Sequence, residues 1–215
     1  MNSHDVLWPA GRTAFGGSAS LATRLRTYGA ERVPQQGGVV LAFNHFSWID
    51  IPIVAWATPR PLYFLAKIEA HRVPGLGQFI RAFGTIAVRR GESDRDAVRR
   101  MREVVHDGEA LGVFVEGTRQ KSGVPGHVQP GAAMVALQEN APVVCGAIHG
   151  SLSWKLGNFA PVSMVWSEPL RFEGLPPGGK GYREASLEIE RELRRLWEWL
   201  VVQHEAGRPP DVTLP

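Results

Sequence analysis

Six short apolar, β-prone runs, at residues 39–43, 62–66, 85–88, 111–115, 143–148 and 162–166, limit what this chain can fold into. A run such as 39–43, apolar at every position rather than at every second one, suits a strand buried on both faces, and such strands belong to parallel sheets covered by helices. The segments between the runs carry helical periods. Ala97, Val98, Met101, Val104 and Val105 recur at three- and four-residue spacing in a helix that starts near Ser93 and stops at Gly108. Residues 131–140 read as another helix, and Leu187, Leu193, Leu196, Trp197, Leu200 and Val201 mark a long amphipathic one over residues 183–204. The apolar stretch 48–57 reads as a further helix with Ser47 as its cap. Strands alternating with helices predict an α/β fold: a single domain with a mostly parallel central sheet flanked by helices.

The chain is long enough to bury such a core. With 215 residues, 44% of them hydrophobic and 21% charged, it is neither disordered nor in need of covalent staples. Residues 35–205 are assigned to the domain. Residues 1–34 form an N-terminal segment in which Phe15, Ala19, Ala22 and Leu25 share one helical face beside Arg24 and Arg26. That helix either lies in a lipid interface or packs on the domain. Residues 206–215, rich in proline, are expected to be a loose tail. Cys145 is the only cysteine, so no intrachain disulfide forms; a small buried apolar residue in a reducing compartment is the expected reading. The N-terminus lacks the apolar core of a secretory signal, and no apolar stretch approaches the ~18 residues needed to cross a bilayer.

Charge is uneven along the chain. The net charge is only +3, but residues 60–102 hold ten arginines and lysines against four acidic residues. A local positive field of that kind favours phosphate groups, anionic lipid or nucleic acid, and composition alone does not choose among them.

Chemistry-bearing residues gather where the strands are expected to end. His45 follows the first buried run directly, the position at which open α/β sheets hold ligands. Asp50, five residues on, is within reach of its ring. A carboxylate on one imidazole nitrogen fixes the tautomer and frees the other nitrogen to take a proton from a hydroxyl. A second group, Glu116, Gly117, Thr118 and Arg119, follows another buried run and combines a permissive backbone, a hydroxyl and a guanidinium suited to phosphate. Arg89 and Arg90 end the run 85–88, and Lys67 follows the run 62–66. Backbone amides near His45 or Gly117 are candidate donors to an oxyanion. Ser47 lacks the Gly-x-Ser-x-Gly setting of a nucleophile. No further histidine or cysteine cluster has metal-ligand spacing, so no metal is expected.

As a set, these blocks resemble the lysophosphatidic acid acyltransferase (PlsC-like) family. The likeness rests on His45 and Asp50 in a His-x4-Asp block, on Arg90, on Glu116-Gly117-Thr118-Arg119 and on Ala141-Pro142-Val143-Val144, in that order. Lys67, Pro74 and Gly77 resemble the segment between the first two motifs. The resemblance covers about residues 35–170 and implies a glycerolipid acyltransferase-like domain. Its implied reaction moves a fatty acyl group from acyl-CoA or acyl-ACP, used as co-substrate, to the hydroxyl of a lysophospholipid. The first candidate acceptor is 1-acylglycerol 3-phosphate, and no permanently bound cofactor is implied.

Carried over by residue, His45 would be the general base and Asp50 its orienter. Arg90, Glu116, Gly117, Thr118 and Arg119 would form the acceptor phosphate site, with Lys67 assisting and Pro142 shaping a turn near the acyl or donor site. The implied location is cytoplasmic, peripheral on the inner face of the cell membrane, with contact to an anionic lipid surface through Trp8, Phe15, Leu76, Phe79, Ile80, Trp154, Leu156 and Phe159, near Arg72, Arg81 and Lys155. Arg89 stands where the family often has an acidic residue, and His149 is a further active-site candidate. The rival readings are the same chemistry on another acceptor (glycerol 3-phosphate, a different lysophospholipid or a non-phosphate amphiphile) and a non-enzymatic basic membrane or nucleic-acid module. The basic stretch lacks interleaved aromatic platforms, so no nucleic-acid partner is expected.

Overall fold

Apolar runs of the kind found at residues 39–43 need cover on two sides, and the computed structural model, which describes residues 3–89 and 95–215, provides it. Helix α1 (Ser3–Gly11), a π-helical turn (Arg12–Gly16) and α2 (Gly17–Ala22) come first. Then follow β1 (Arg26–Tyr28), β2 (Val39–Phe43), α3 (Asp50–Ala57), β3 (Leu62–Lys67), α4 (Ile68–Arg72), α5 (Leu76–Ala82) and β4 (Thr85–Val88). The second half is α6 (Arg95–His106), β5 (Ala110–Phe114), α7 (Gly131–Glu139), β6 (Val143–His149), β7 (Ser163–Trp166) and α8 (Gly179–Glu205).

One seven-stranded sheet runs in the order β1-β7-β6-β2-β5-β3-β4. Every strand pair in it is parallel except β6 with β7. The period-2 geometry of a strand divides β2 between two cores. Val40 and Ala42 face a cluster with Met101, Val105, Val135, Ile189 and Leu196 from α6, α7 and α8. Val39, Leu41 and Phe43 face a second cluster with Trp8, Ile53, Val54 and Trp166. All five β2 residues are buried, which is why the run shows no polar alternation.

The predicted α/β domain with its mostly parallel sheet is therefore what forms, and the differences lie at its margins. The end of the N-terminal segment contributes β1, paired with β7, so the sheet begins before residue 35. The tail is held rather than loose: the Arg26 guanidinium donates to the Arg208 carbonyl, the Tyr28 hydroxyl donates to the Pro209 carbonyl at 3.1 Å, and Val212 and Leu214 pack on the core. Ser47 does not cap α3; the cap position is Ile49, and the Ser47 amide instead donates to Asp50. Among the described residues no helix is long and apolar enough to cross a membrane.

Candidate active site

His45 leaves β2 two residues after Phe43, in a loop fixed on both sides. Asn44 accepts from the Ile148 amide at 2.7 Å and donates to the Ile148 carbonyl at 2.9 Å, tying the loop to β6. The His45 ring stacks on Phe114 of β5 with centroids 4.1 Å apart. Asp50 is the first residue of α3 and fully buried, where the positive end of the helix dipole favours a carboxylate. Its Oδ2 accepts the Phe46 amide at 2.7 Å and the Ser47 amide at 2.8 Å, and lies 2.9 Å from His45 Nδ1. An ionised carboxylate only accepts, so this contact requires the proton on Nδ1 and leaves Nε2 with a lone pair in the neutral ring.

The loop after β5 is buckled onto the His45 loop. Glu116, itself buried, accepts the His45 amide on Oε2 at 2.8 Å and the Gly126 amide on Oε1 at 2.7 Å. The Gln120 backbone N–H donates to the His45 carbonyl at 2.7 Å. Burial pushes the Glu116 carboxyl up to about 7; the Gly126 and His45 amides oppose that shift and the nearby Asp50 charge adds to it. Gly117 turns the chain at φ +70°, a left-handed conformation that a side chain would strain. Beyond it Thr118 and Arg119 are exposed, as is Lys67 at the end of β3.

The structure thus brings His45, Asp50 and the 116–119 loop together at the carboxyl ends of neighbouring parallel strands. Glu116 departs from its expected place. Both of its oxygens are turned inward onto backbone amides, so it braces the His45 loop instead of facing an acceptor phosphate. The amides of His45, Phe46, Ser47 and Gly117 are already donating within the chain, which removes them as oxyanion donors. Pro142 precedes β6, and because Val143 lies level with Val40 it sits at the end of the sheet opposite His45. Arg90 lies outside the described residues. Among those described, no group of histidine, cysteine, aspartate and glutamate could hold a metal.

His149 belongs to a different cluster. Its ring lies 5.8 Å from Trp197 and 4.8 Å from His204, both on α8. Burial first, and the neighbouring His204 second, push its pKa down to about 4. The unfolded imidazole titrates near 6.5, so the folded state resists a proton that the unfolded chain accepts. Stability is therefore present above pH ~6.5 and is lost as pH falls from there towards 4. Discounted for partial exposure, the contribution is on the order of 1–2 kcal/mol. Melting curves of the wild type and His149→Phe at pH 7.5 and pH 4.5 should show a smaller acid-induced drop in the variant; equal drops would show that His149 carries no such linkage.

A histidine held by a buried carboxylate, at strand ends in an α/β domain, is an arrangement that can take a proton from a hydroxyl, as group transfer to an alcohol requires. The sequence profile of the Acyltransferase family matches residues 24–149, more than half of the chain, and the chain belongs to that family. It is an acyltransferase. The 1-acyl-sn-glycerol-3-phosphate acyltransferase of Bacillus subtilis (strain 168) is 28% identical over 153 residues, covering 70% of this chain and 76% of the relative. The lyso-ornithine lipid O-acyltransferase of Pseudomonas aeruginosa is 37% identical over 101 residues, which is 46% of this chain and 37% of the relative. The crystal structure of the 1-acyl-sn-glycerophosphate (LPA) acyltransferase PlsC from Thermotoga maritima superposes with a TM-score of 0.74 at 24% identity, over 90% of this chain and 79% of that one, and shows the same fold.

Proposed function

We propose that the protein esterifies a lysophospholipid, 1-acylglycerol 3-phosphate first, with a fatty acyl group drawn from a thioester. The observation that carries the reading is the 2.9 Å contact between His45 Nδ1 and Asp50 Oδ2, which leaves Nε2 as the ring nitrogen able to accept a proton. In the reaction, Nε2 takes the proton of the acceptor hydroxyl as its oxygen attacks the thioester carbonyl carbon. The resulting imidazolium is stabilised by Asp50. Collapse of the tetrahedral oxyanion breaks the carbon–sulfur bond, and the imidazolium returns its proton to the leaving thiolate. Ester and free thiol leave a neutral histidine behind. The Thr118 and Arg119 amides, with no acceptor among the described residues, are the oxyanion donors in this reading. The Arg119 and Lys67 cations, with Arg90, supply charge for the acceptor phosphate.

The insoluble acceptor must be met at a surface, and one is exposed beside the site. Trp48, three residues after His45, contacts Trp154 edge-on at 5.3 Å, and Trp154 donates to the Ala22 carbonyl at the end of α2. Around this joint Leu21 is 79% and Leu156 89% exposed, with Phe159 and Leu152 also open to solvent. Trp8 and Trp154, expected at the lipid, are buried. An apolar patch beside Arg24 and Lys155 suits the headgroup region of an anionic membrane.

The Pseudomonas likeness favours a second acceptor, a lyso-ornithine lipid, which lacks the phosphate. The test is a panel of acceptors on anionic vesicles with the products read by lipid mass spectrometry. The proposed acceptor is expected to outrun its dephosphorylated analogue by tenfold or more in kcat/KM, and the protein to float with the vesicles. A preference for the amino-acid lipid moves the assignment to that acceptor, and no ester from any lysolipid overturns the reading.

A further inference from the structure

Most of the basic stretch 60–102 has work other than the chemistry at His45. Arg60 is buried and donates to the carbonyls of Pro34, Gly37 and Gly108, a structural brace. On α6, Arg99 pairs with Asp96 and Glu103, and Arg102 with Glu139. Three of the other arginines share one place in the fold. Arg72 at the end of α4, Arg81 on α5 and Arg100 on α6 have no carboxylate partner among the described residues, and all three line one cavity of about 340 Å³ with His71, Thr85 and Ala87.

The cavity is built, and not merely a gap between exposed side chains. Arg81 donates to the His71 carbonyl at 3.3 Å, which draws its guanidinium over the opening. Thr85 donates to the Ile80 carbonyl at 2.7 Å and its hydroxyl lies 3.3 Å from His71 Nε2. Gly77 lets α5 close on α4: a Cβ there would stand 2.1 Å from the His71 carbonyl oxygen. Burial and then the charges of Arg81 and Arg100 lower the proton affinity of His71, the sign of a positive potential at the hollow. Three like charges converging on one hollow repel, and an anion is the group that relieves them.

Its place in the sheet selects which anion. Ala87 of β4 lies opposite Ala66 of β3; Phe64 lies opposite Gly112 of β5, and Phe114, two residues on, lies opposite Phe43 of β2. The cavity wall is therefore level with the strand end that carries His45 but three strands away, about 14 Å at the usual inter-strand spacing. In the acceptor the phosphorus is four bonds from the attacking oxygen, far too close to reach that cavity. A nucleotide thioester carries its phosphates at the far end of a long pantetheine arm.

Resting on the acyl-transfer reading above, we propose that the Arg72, Arg81 and Arg100 cavity binds the phosphorylated nucleotide end of a coenzyme A thioester, with the pantetheine arm crossing the β3 and β5 strand ends to His45. Calorimetry with 3′,5′-ADP as the probe tests binding without turnover. The wild type is expected to bind it and the triple variant Arg72→Gln/Arg81→Gln/Arg100→Gln to bind at least tenfold more weakly, at an unchanged melting temperature. Steady-state kinetics with acyl-CoA and acyl-pantetheine supply the second readout: the triple variant should raise KM for acyl-CoA tenfold or more and leave KM for acyl-pantetheine unmoved. The single exposed variant Arg72→Gln and competitive inhibition of the wild type by 3′,5′-ADP against acyl-CoA give the same answer if the triple variant fails to fold. Absence of 3′,5′-ADP binding, an equal rise in KM for both donors, a rise confined to the acceptor, or turnover with acyl-ACP alone would overturn the proposal. Binding of 3′,5′-ADP without ester formation from any lysolipid would keep the cavity assignment and remove the acceptor assignment.

Discussion

His45→Ala is expected to lower kcat by about 10²–10⁴-fold, the usual worth of a positioned general base, while the domain stays folded. The two effects separate because of where the ring sits. It stacks on Phe114 at the mouth of the sheet and not within either core, so its loss removes one aromatic contact and leaves the β2 ladder intact. The backbone bonds from the His45 amide to Glu116 and from the Gln120 amide to the His45 carbonyl do not depend on the side chain. The check is single-turnover acyl transfer together with a melting curve. Residual rate near the wild-type value would remove His45 from the chemistry. A rate loss accompanied by a large fall in melting temperature would show that the ring acts through the fold.

The parts of this structure that were legible in the sequence are those set by local physics. Runs such as residues 39–43 and 143–148 coincide with β2 and β6 because burial on two faces leaves a continuous apolar signature. The period of Ala97, Met101 and Val105 marks α6 because one stripe faces the core. His45 and Asp50 were legible because five residues of loop and first helical turn suffice to bring a carboxylate back to a ring. Other features depend on partners far along the chain. Arg26, Thr27 and Tyr28 have no apolar run to announce a strand; they form β1 because β7 offers an open edge 137 residues later, with Arg26 opposite Ser163. The inward turn of Glu116 is likewise set by the Gly126 and His45 amides, one of them on another loop. In sequence a phosphate-facing and an amide-bracing glutamate look the same.

His149 shows the same limit from the other side. It follows a buried strand, as His45 does, but the two rings serve different surroundings because β6 is covered by α8 where β2 is followed by the α3 loop. Strand-end position alone therefore does not distinguish the two histidines; the carboxylate held against the ring does. Sequence had a signal for that difference, since His45 has an acidic residue five positions on and His149 has none in the ten that follow it.

Asp50 is where chemistry and stability are expected to part between two substitutions. Asp50→Asn keeps the shape of the carboxylate and one oxygen able to accept the Phe46 and Ser47 amides, so the loop should hold and the melting temperature should move little. With its oxygen at the Oδ2 position the amide still accepts the Nδ1–H, but being neutral it no longer stabilises an imidazolium, and kcat should fall about 10²–10⁴-fold. Asp50→Ala removes the acceptor altogether. The Phe46 and Ser47 amides then lose their partner in a buried pocket, at about 1–3 kcal/mol for each donor left unsatisfied, and α3 loses the negative charge at its first turn, worth about 0.3–1 kcal/mol more. Urea denaturation and steady-state rates on both variants test the division. Equal stability losses would mean that Asp50 holds the loop by charge alone, and an Asp50→Asn enzyme with wild-type kcat would mean that the ring needs no anion behind it.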